Sequence, residues 1–453
     1  MSYMFSKCQS ITQLDLKNFN TNKLKDANNM FSFCSNLKEL NLSKFETINV
    51  YNMSQMFFGC DSLISLNLNN FETKNVIDIF GMFSHCKSLK YLDISNFNTS
   101  LISDFSNMFN YCQNLTSLNI NNFDTSKAIN LNGMFQYCES LESLNLSNFI
   151  TINVKYMSYM FSNCKSLKIL EIAYFDTKNV ENMDNMFSDL QLIKELNLSN
   201  FKTIKTTKMN NIFQNCYSLE KLDISNFDTN NTNSLYRMFD SCKSLSSIDL
   251  TNFKTEKVTN FGYMFNNCNS LISLDLKNFD TNNAIYMYNM FSGCSSLVSL
   301  DLKNFNIKNV INLNDMFKDC ASLDILELSV NFKSNNLRYI SNMFNNCSSI
   351  LNIVLNFFET ENVENMNSIF ENCASLESLD INNFKTNKSK TLKKMFYECK
   401  SLKSLYLPYF DTRKIDDSGL VSVFDNCTNL NLFIDLDKCP NLVIPKYVNV
   451  TDI

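Results

Sequence analysis

The chain has 453 residues, with 40 Lys plus Arg against 45 Asp plus Glu and a net charge of −5. That balance, with no Lys/Arg-rich block, disfavours a nucleic-acid binder. Six glycines and three prolines leave little material for tight turns, linkers or a Gly-rich phosphate loop.

No apolar run reaches the ~20 residues that a membrane helix needs. The opening "MSYMFSKCQS" has no basic region before an apolar core, so no export signal is read there. From that point one 26-residue phrase recurs. Copies begin at Met4, Met30, Met56 and every 26 residues to Met316, with Ile212 in the ninth, then at Met343, Ile369, Met395 and Val423. One extra residue precedes Met343, near Val330, and two precede Val423, near Asp416. These insertions are too short to be expected to build a pocket.

Each copy opens on an apolar residue followed by Phe, and a second Phe column runs from Phe19 to Phe410. Within a copy, Leu37, Leu40 and Leu42 frame "LKELNL", which alternates in and out as a short strand does. Val50, Met53, Met56, Phe57 and Cys60 then recur every three or four residues, the mark of one helical face or of a run of 3₁₀ turns. A lone copy buries too little apolar surface to offset the entropy of ordering it. Stacked copies share their flanks and their backbone hydrogen bonds. The expected fold is therefore a single repeat solenoid with short parallel strands on one face and helical or 3₁₀ turns on the other. It is expected to span residues 1–436, with 437–453 as a capping tail.

Sixteen of the 17 cysteines share one repeat position, and Leu190 takes that position in the eighth copy. A leucine substitute implies an apolar interior slot. Stacked coils would hold equivalent Cβ atoms about 4.8 Å apart with parallel vectors, whereas a disulfide needs facing vectors at about 3.8 Å. A ladder of free buried thiols is expected, and no C-x-x-C pair suggests zinc.

L-x-x-L-x-L resembles a leucine-rich repeat. "MFxxCxSLxxLDLxNFxT", as in "MFSGCSSLVSLDLKNF" (290–305) and "MFNNCNSLISLDLKNF" (264–279), resembles the repeat of the BspA-like leucine-rich repeat surface proteins. One departure is that Phe occupies the usual asparagine-ladder position, with Asn one residue earlier (Asn18, Asn70, Asn96, Asn122). The resemblance implies a cell-surface or secreted module that binds host, matrix or cell-surface proteins. Without a visible export signal, a cytoplasmic scaffold or effector, or a structural spacer, stands as the alternative.

No catalytic constellation, metal site or cofactor is expected. The only histidine, His85, adjoins Cys86, but the cysteine column should point inward and the histidine outward at a tolerant surface position. The abundant Asn, Lys, Ser and Ile are as compatible with an AT-rich genome as with a structural need. Candidate binding residues lie on the outward side of the strands. One row carries Asp223, Asp249, Asp275, Asp301 and Glu327 in succession, where neighbouring charges repel by about 0.9 kcal/mol even in water. Lys221, Lys277 and Lys303 are expected to offset them in part. The row is read either as a solvated face balanced by lysines or as a site for a basic partner surface or a divalent cation, although a flat row does not converge the six or more oxygens calcium needs. "ILEIAYF" (169–175) exposes Ile169 and Tyr174, and "LKSLYLPYF" (402–410) exposes Tyr406 and Tyr409. These are the aromatic and aliphatic anchors of a protein interface.

Overall fold

A computed structural model describes all 453 residues. The chain divides into two compact units, Met1–Asn231 and Thr232–Ile453, each a stack of coils with parallel strands. In the first unit Gln13–Asp15 pairs with Glu39–Asn41, with Leu14 opposite Leu40. Tyr91–Asp93 pairs with Ser117–Asn119, Ser143–Asn145 with Ile169–Glu171, and Glu195–Asn197 with Lys221–Asp223. In the second unit Ser299–Leu302 pairs with Ile325–Leu328. Five more strands, from Asn352–Val354 to Asn449–Asp452, form one sheet. The tail contributes the last of these, in parallel register on Asn431–Ile434, and the Tyr447 hydroxyl accepts the Asn426 N–H at 2.6 Å.

In the Met-Phe segment the structure decides between helix and turns in favour of turns. The only helical element is the 3₁₀ turn Asp417–Gly419. The segment is instead a staircase of separate turns, seen in Met30 N–H to Ala27 O, Ser32 N–H to Asn29 O and Cys34 N–H to Phe31 O. The intervening N–H groups of Ala27, Asn29, Phe31 and Phe33 donate to Asn52, Ser54, Met56 and Phe58 on the next coil. Alternate amides thus serve the coil's own turn and its neighbour. A helix would spend every amide inside the coil and leave none for stacking.

The staircase holds two residues per coil in the left-handed region, one before the Met and one before the Cys: Asn29 (φ 55) and Phe33 (φ 60), or Asn185 (φ 57) and Asp189 (φ 60). Asn, Asp and Gly fill many of these positions because they tolerate positive φ best. At Gly293 (φ 74) an added Cβ would also meet Asn267 Oδ1 at 2.4 Å. Four of the six glycines sit in these two columns.

The core is made of rows. In the first unit Phe5, Phe31, Phe57, Phe83, Phe109, Phe135, Phe161, Phe187 and Phe213 stack with centroids 5.5–5.9 Å apart. In the second, the spine from Phe239 to Phe424 stacks at 5.2–5.9 Å. Near-parallel planes at that spacing are offset stacks, the favourable arrangement.

The cysteines are free. Thiols of the repeat column donate to the spine Phe carbonyl one coil back, as in Cys60 to Phe31 O (3.2 Å) and Cys138 to Phe109 O (3.2 Å). That carbonyl already accepts the cysteine N–H of its own coil. Burial pushes Cys112, Cys164 and Cys373 up to about 12, so these thiols stay protonated and unreactive.

Candidate functional site

Many of the Asn, Ser and Thr side chains carry hydrogen bonds between coils. The buried Thr of N-F-x-T bridges to the next coil with both of its hydrogen-bonding capacities. Thr47 Oγ1 accepts the Glu72 N–H at 2.7 Å and donates to Glu72 O at 3.1 Å. The Asn before the Phe donates to carbonyls one coil back, as Asn70 does to Leu42 O (3.1 Å) and Phe45 O (2.8 Å). A further Asn column does the same, for example Asn75 to Ile48 O at 2.8 Å.

The acidic row also has a local reason. In the strand row of many coils a side-chain Oδ1 accepts the N–H two residues on: Lys17 to Asp15 (3.0 Å), Ser43 to Asn41 (3.1 Å), Thr251 to Asp249 (3.0 Å), Lys277 to Asp275 (3.1 Å) and Lys303 to Asp301 (2.9 Å). This turn needs a short carbonyl-bearing side chain, so Asp and Asn alternate freely. Glu171, Glu327, Val354 and Tyr406 occupy the same row without that role. Their identity is not explained by the turn.

Asp223 ends a strand in the first unit, whereas Asp249, Asp275, Asp301 and Glu327 belong to the second. The four Asp are exposed and Glu327 is half-buried. Lys277 pairs with Asp275 at 2.7 Å and Lys303 with Glu327 at 2.8 Å, as expected. Lys221 instead pairs with Glu195 at 3.8 Å, because the strand register sets it opposite that residue. The Thr251 N–H holds the Asp249 carboxyl below its ordinary range, and the Lys277 ammonium does so for Asp275. Both are carboxylates at neutral pH.

Ile169 and Tyr174 are exposed in the first unit, Tyr174 at 74%. Tyr406 and Tyr409 are exposed in the second, and Tyr406 lies 6.4 Å from the Phe433 ring. Tyr406 and Tyr409 share a unit with Asp249, Asp275, Asp301 and Glu327, and Ile169 and Tyr174 share one with Asp223.

Three features went unread in the sequence. In the second unit Ile272, Val298, Ile325, Leu351 and Val354 are each 44–57% exposed on the strand side. Consecutive coils link them, since the Val298 N–H donates to Ile272 O and the Ile325 N–H to Val298 O. The stripe changes repeat column as it crosses coils, so scanning one column at a time misses it. In the first unit Phe33, Phe58, His85, Tyr111 and Tyr137 form an outer aromatic file at 4.2–5.2 Å. Also in the second unit, a groove of about 680 Å³ has Lys257 and Arg338 among its lining, with Ile285 and Ile311.

His85 is only partly at the surface, in a column that elsewhere holds Phe33, Gly59, Tyr111 and Asn163. It is half-buried, left-handed (φ 61) and in contact with Phe58 and Tyr111. The adjoining Cys86 is buried and donates to Phe57 O at 3.3 Å, so the two make no catalytic pair. Burial, then Lys87, lowers the His85 pKa. With the folded value below the unfolded 6.5, the unfolded state takes the proton first as pH falls. Stability is unaffected above pH 6.5 and declines as pH drops through that value. His85→Tyr should shrink the loss of Tm between pH 7.5 and 5; equal losses in both proteins would contradict this assignment.

No group of three or more His, Cys, Asp or Glu is placed to hold a metal. No helix is long and apolar enough to cross a membrane.

Among solved structures, the chain is similar to a leucine-rich repeat protein from Bacteroides ovatus (17% identity, 95% of this chain and 86% of that one, TM-score 0.40). It is also similar to a leucine rich cell surface protein from Faecalibacterium prausnitzii (17%, 66% and 75%, TM-score 0.35), and to the pneumococcal vaccine antigen PcpA (14%, 89% and 85%, TM-score 0.37). No curated protein matches the chain. The family model described as "Mycoplasma protein of unknown function, DUF285" matches residues 1–91, 78–194, 161–271, 245–350 and 325–436 in overlapping segments. The chain belongs to this family of BspA-like leucine-rich repeats.

Proposed function

We propose that this protein is a non-catalytic protein-binding module that engages its partner through the strand face. We place it at a cell surface, in contact with host, matrix or neighbouring-cell proteins, as its BspA-like repeat implies. The observation that carries the reading is the apolar stripe Ile272, Val298, Ile325, Leu351 and Val354 in the same unit as Asp249, Asp275, Asp301 and Glu327. Exposed aliphatic side chains cost a protein solubility, and grouped ones mark interaction surfaces. The carboxylates bias the partner toward a basic rim and speed its approach. Tyr406 and Tyr409 supply further anchors of the type that dominates interface energies. Ile169, Tyr174 and Asp223 belong to the first unit and would make separate contacts.

The test is surface plasmon resonance of the full chain against purified extracellular-matrix proteins, with two double variants. Ile272→Ser/Val298→Ser should slow or abolish capture by raising the dissociation rate. Asp249→Lys/Asp275→Lys should lower the association rate and flatten its salt dependence. Unchanged kinetics for both variants on every partner that binds would refute the strand-face reading.

A further inference from the structure

The Asn ladder is interrupted by aromatic residues at three places, Tyr174, Phe357 and Tyr409. The last two fall in the second unit, on alternate coils, with Asn383 in the same column between them. An Asn in this column folds back onto the preceding coil, as Asn304 does to Leu276 O (2.9 Å) and Phe279 O (2.8 Å). A ring cannot make those bonds. Phe357 is half-buried and Tyr409 exposed, and both line one open pocket of about 500 Å³. The coil carrying the extra residue near Val330 supplies Lys333 and Asn335 to the same pocket. The insertion expected to be too short for a pocket thus borders one, because two aromatic substitutions complete it.

We propose that this pocket binds a neutral sugar ring of a glycan, a site separate from the protein-binding stripe. Two coils set Phe357 and Tyr409 about 10 Å apart along the column, the span of one saturated six-membered ring with van der Waals contact at each end, and Asn383 between them is folded back onto Asn356 O and also lines the pocket. The remaining lining is polar and electrically balanced. Lys333 and Lys385 stand against Glu359 and Glu361, and Lys385 is already ion-paired with Glu361. A charged ligand finds no net field there. A purely apolar ligand would strip water from the polar groups of Lys333, Asn335 and Glu359 without replacing it, which costs binding energy. A sugar ring offers C–H faces to the aromatic ends and hydroxyls, both donor and acceptor, to the amides, ammonium and carboxylates. A proline or aromatic side chain of a peptide would satisfy only the first.

The experiment uses the full chain, saturation-transfer NMR and calorimetry. One arm is a panel of neutral oligosaccharides built from glucose, galactose, mannose and N-acetylglucosamine. A second arm is a set of proline-rich and tyrosine-rich peptides. The variants are Phe357→Asn and Tyr409→Asn, each of which installs the column's usual residue and so keeps the coil foldable, as thermal unfolding would verify. At least one oligosaccharide should bind at millimolar or lower concentration, and each variant should weaken it at least about tenfold, or ~1.4 kcal/mol. No transfer to any sugar, undiminished affinity in both variants, or binding confined to the peptides would each overturn the proposal. Loss of sugar binding in these variants with matrix-protein capture retained would separate this site from the strand face. Failure of the stripe variants would leave the sugar result standing.

Discussion

Replacing Phe135 with alanine should destabilise the first unit by about 3–5 kcal/mol, the range for emptying a fully buried aromatic site. Phe135 is 0% exposed and stacks between Phe109 at 5.6 Å and Phe161 at 5.9 Å. Its backbone is fixed independently of the ring: the N–H donates to Met160 O and the carbonyl accepts from Cys138 N–H and from the Cys164 thiol at 3.1 Å. The backbone is therefore held open around the missing ring, and a cavity should remain. In a repeat array each coil contacts mainly its neighbours, so one weakened coil loosens two interfaces. Urea unfolding followed by circular dichroism should show a lower midpoint and a broadened or divided transition. Hydrogen exchange should speed most in the coils on either side. Phe135→Leu, which keeps most of the volume, should lose far less. A sharp single transition at the wild-type midpoint would contradict the aromatic spine as the source of stability.

The sequence carried the architecture because the fold is written in apolar residues, and apolar residues repeat visibly. From the second copy on, the Met-Phe pair, the cysteine column with Leu190 as its revealing exception, and Leu42 landed inside as read, while Leu40 is half-buried. The form of the return segment was not legible. An apolar spacing of three to four suits a helix and a chain of turns alike, and the feature that separates them is the sign of φ at Asn29 and Phe33. That sign leaves only a statistical trace in composition, since Phe33 and His85 hold the same conformation as Gly59. Polar ladders were hidden for a related reason: Thr47 and Asn70 look like solvated residues until the neighbouring coil is in place.

The candidate site was legible only in part, and for a similar reason. Asp249, Asp275 and Asp301 were correctly set outward, but their turn bonds to Thr251, Lys277 and Lys303 explain why Asp stands there without any ligand. The more informative positions are those where a column abandons its structural residue. Glu327 and Val354 leave the turn, and Phe357 and Tyr409 leave the Asn ladder. A side chain released from a local hydrogen-bonding duty is one that selection can devote to a partner. The stripe of Ile272, Val298, Ile325 and Leu351 stands out less sharply, since their columns elsewhere hold mostly Lys, Glu, Ser and Thr but also Ile64 and Ile169.

The polar ladder leads to the second large effect. Thr125→Val should cost about 3 kcal/mol although the two side chains have nearly the same shape. Thr125 is 0% exposed. Its Oγ1 accepts the Ile150 N–H at 2.7 Å and donates to Ile150 O at 3.1 Å. Valine removes both partners at once and leaves a donor and an acceptor of the backbone unsatisfied at a buried joint, each worth about 1–3 kcal/mol. Thr125→Ser keeps the hydroxyl and deletes one methyl, so it should lose only about 0.8 kcal/mol. The order wild type, serine, valine in urea midpoints therefore separates hydrogen bonding from packing. Equal losses for serine and valine would assign the column to packing alone. The chain contains its own precedent: Ile307 is the one residue of this column without a hydroxyl. There Ser334 of the following coil reaches back instead, donating to Val310 O at 2.9 Å and contacting Lys308 O at 3.1 Å. That exchange occurs in the coil that carries the extra residue near Val330. The ladder is dropped there because the column residue of the following coil turns its hydroxyl back, whereas Thr151, the counterpart one coil after Thr125, is already committed to the Asp176 N–H and carbonyl.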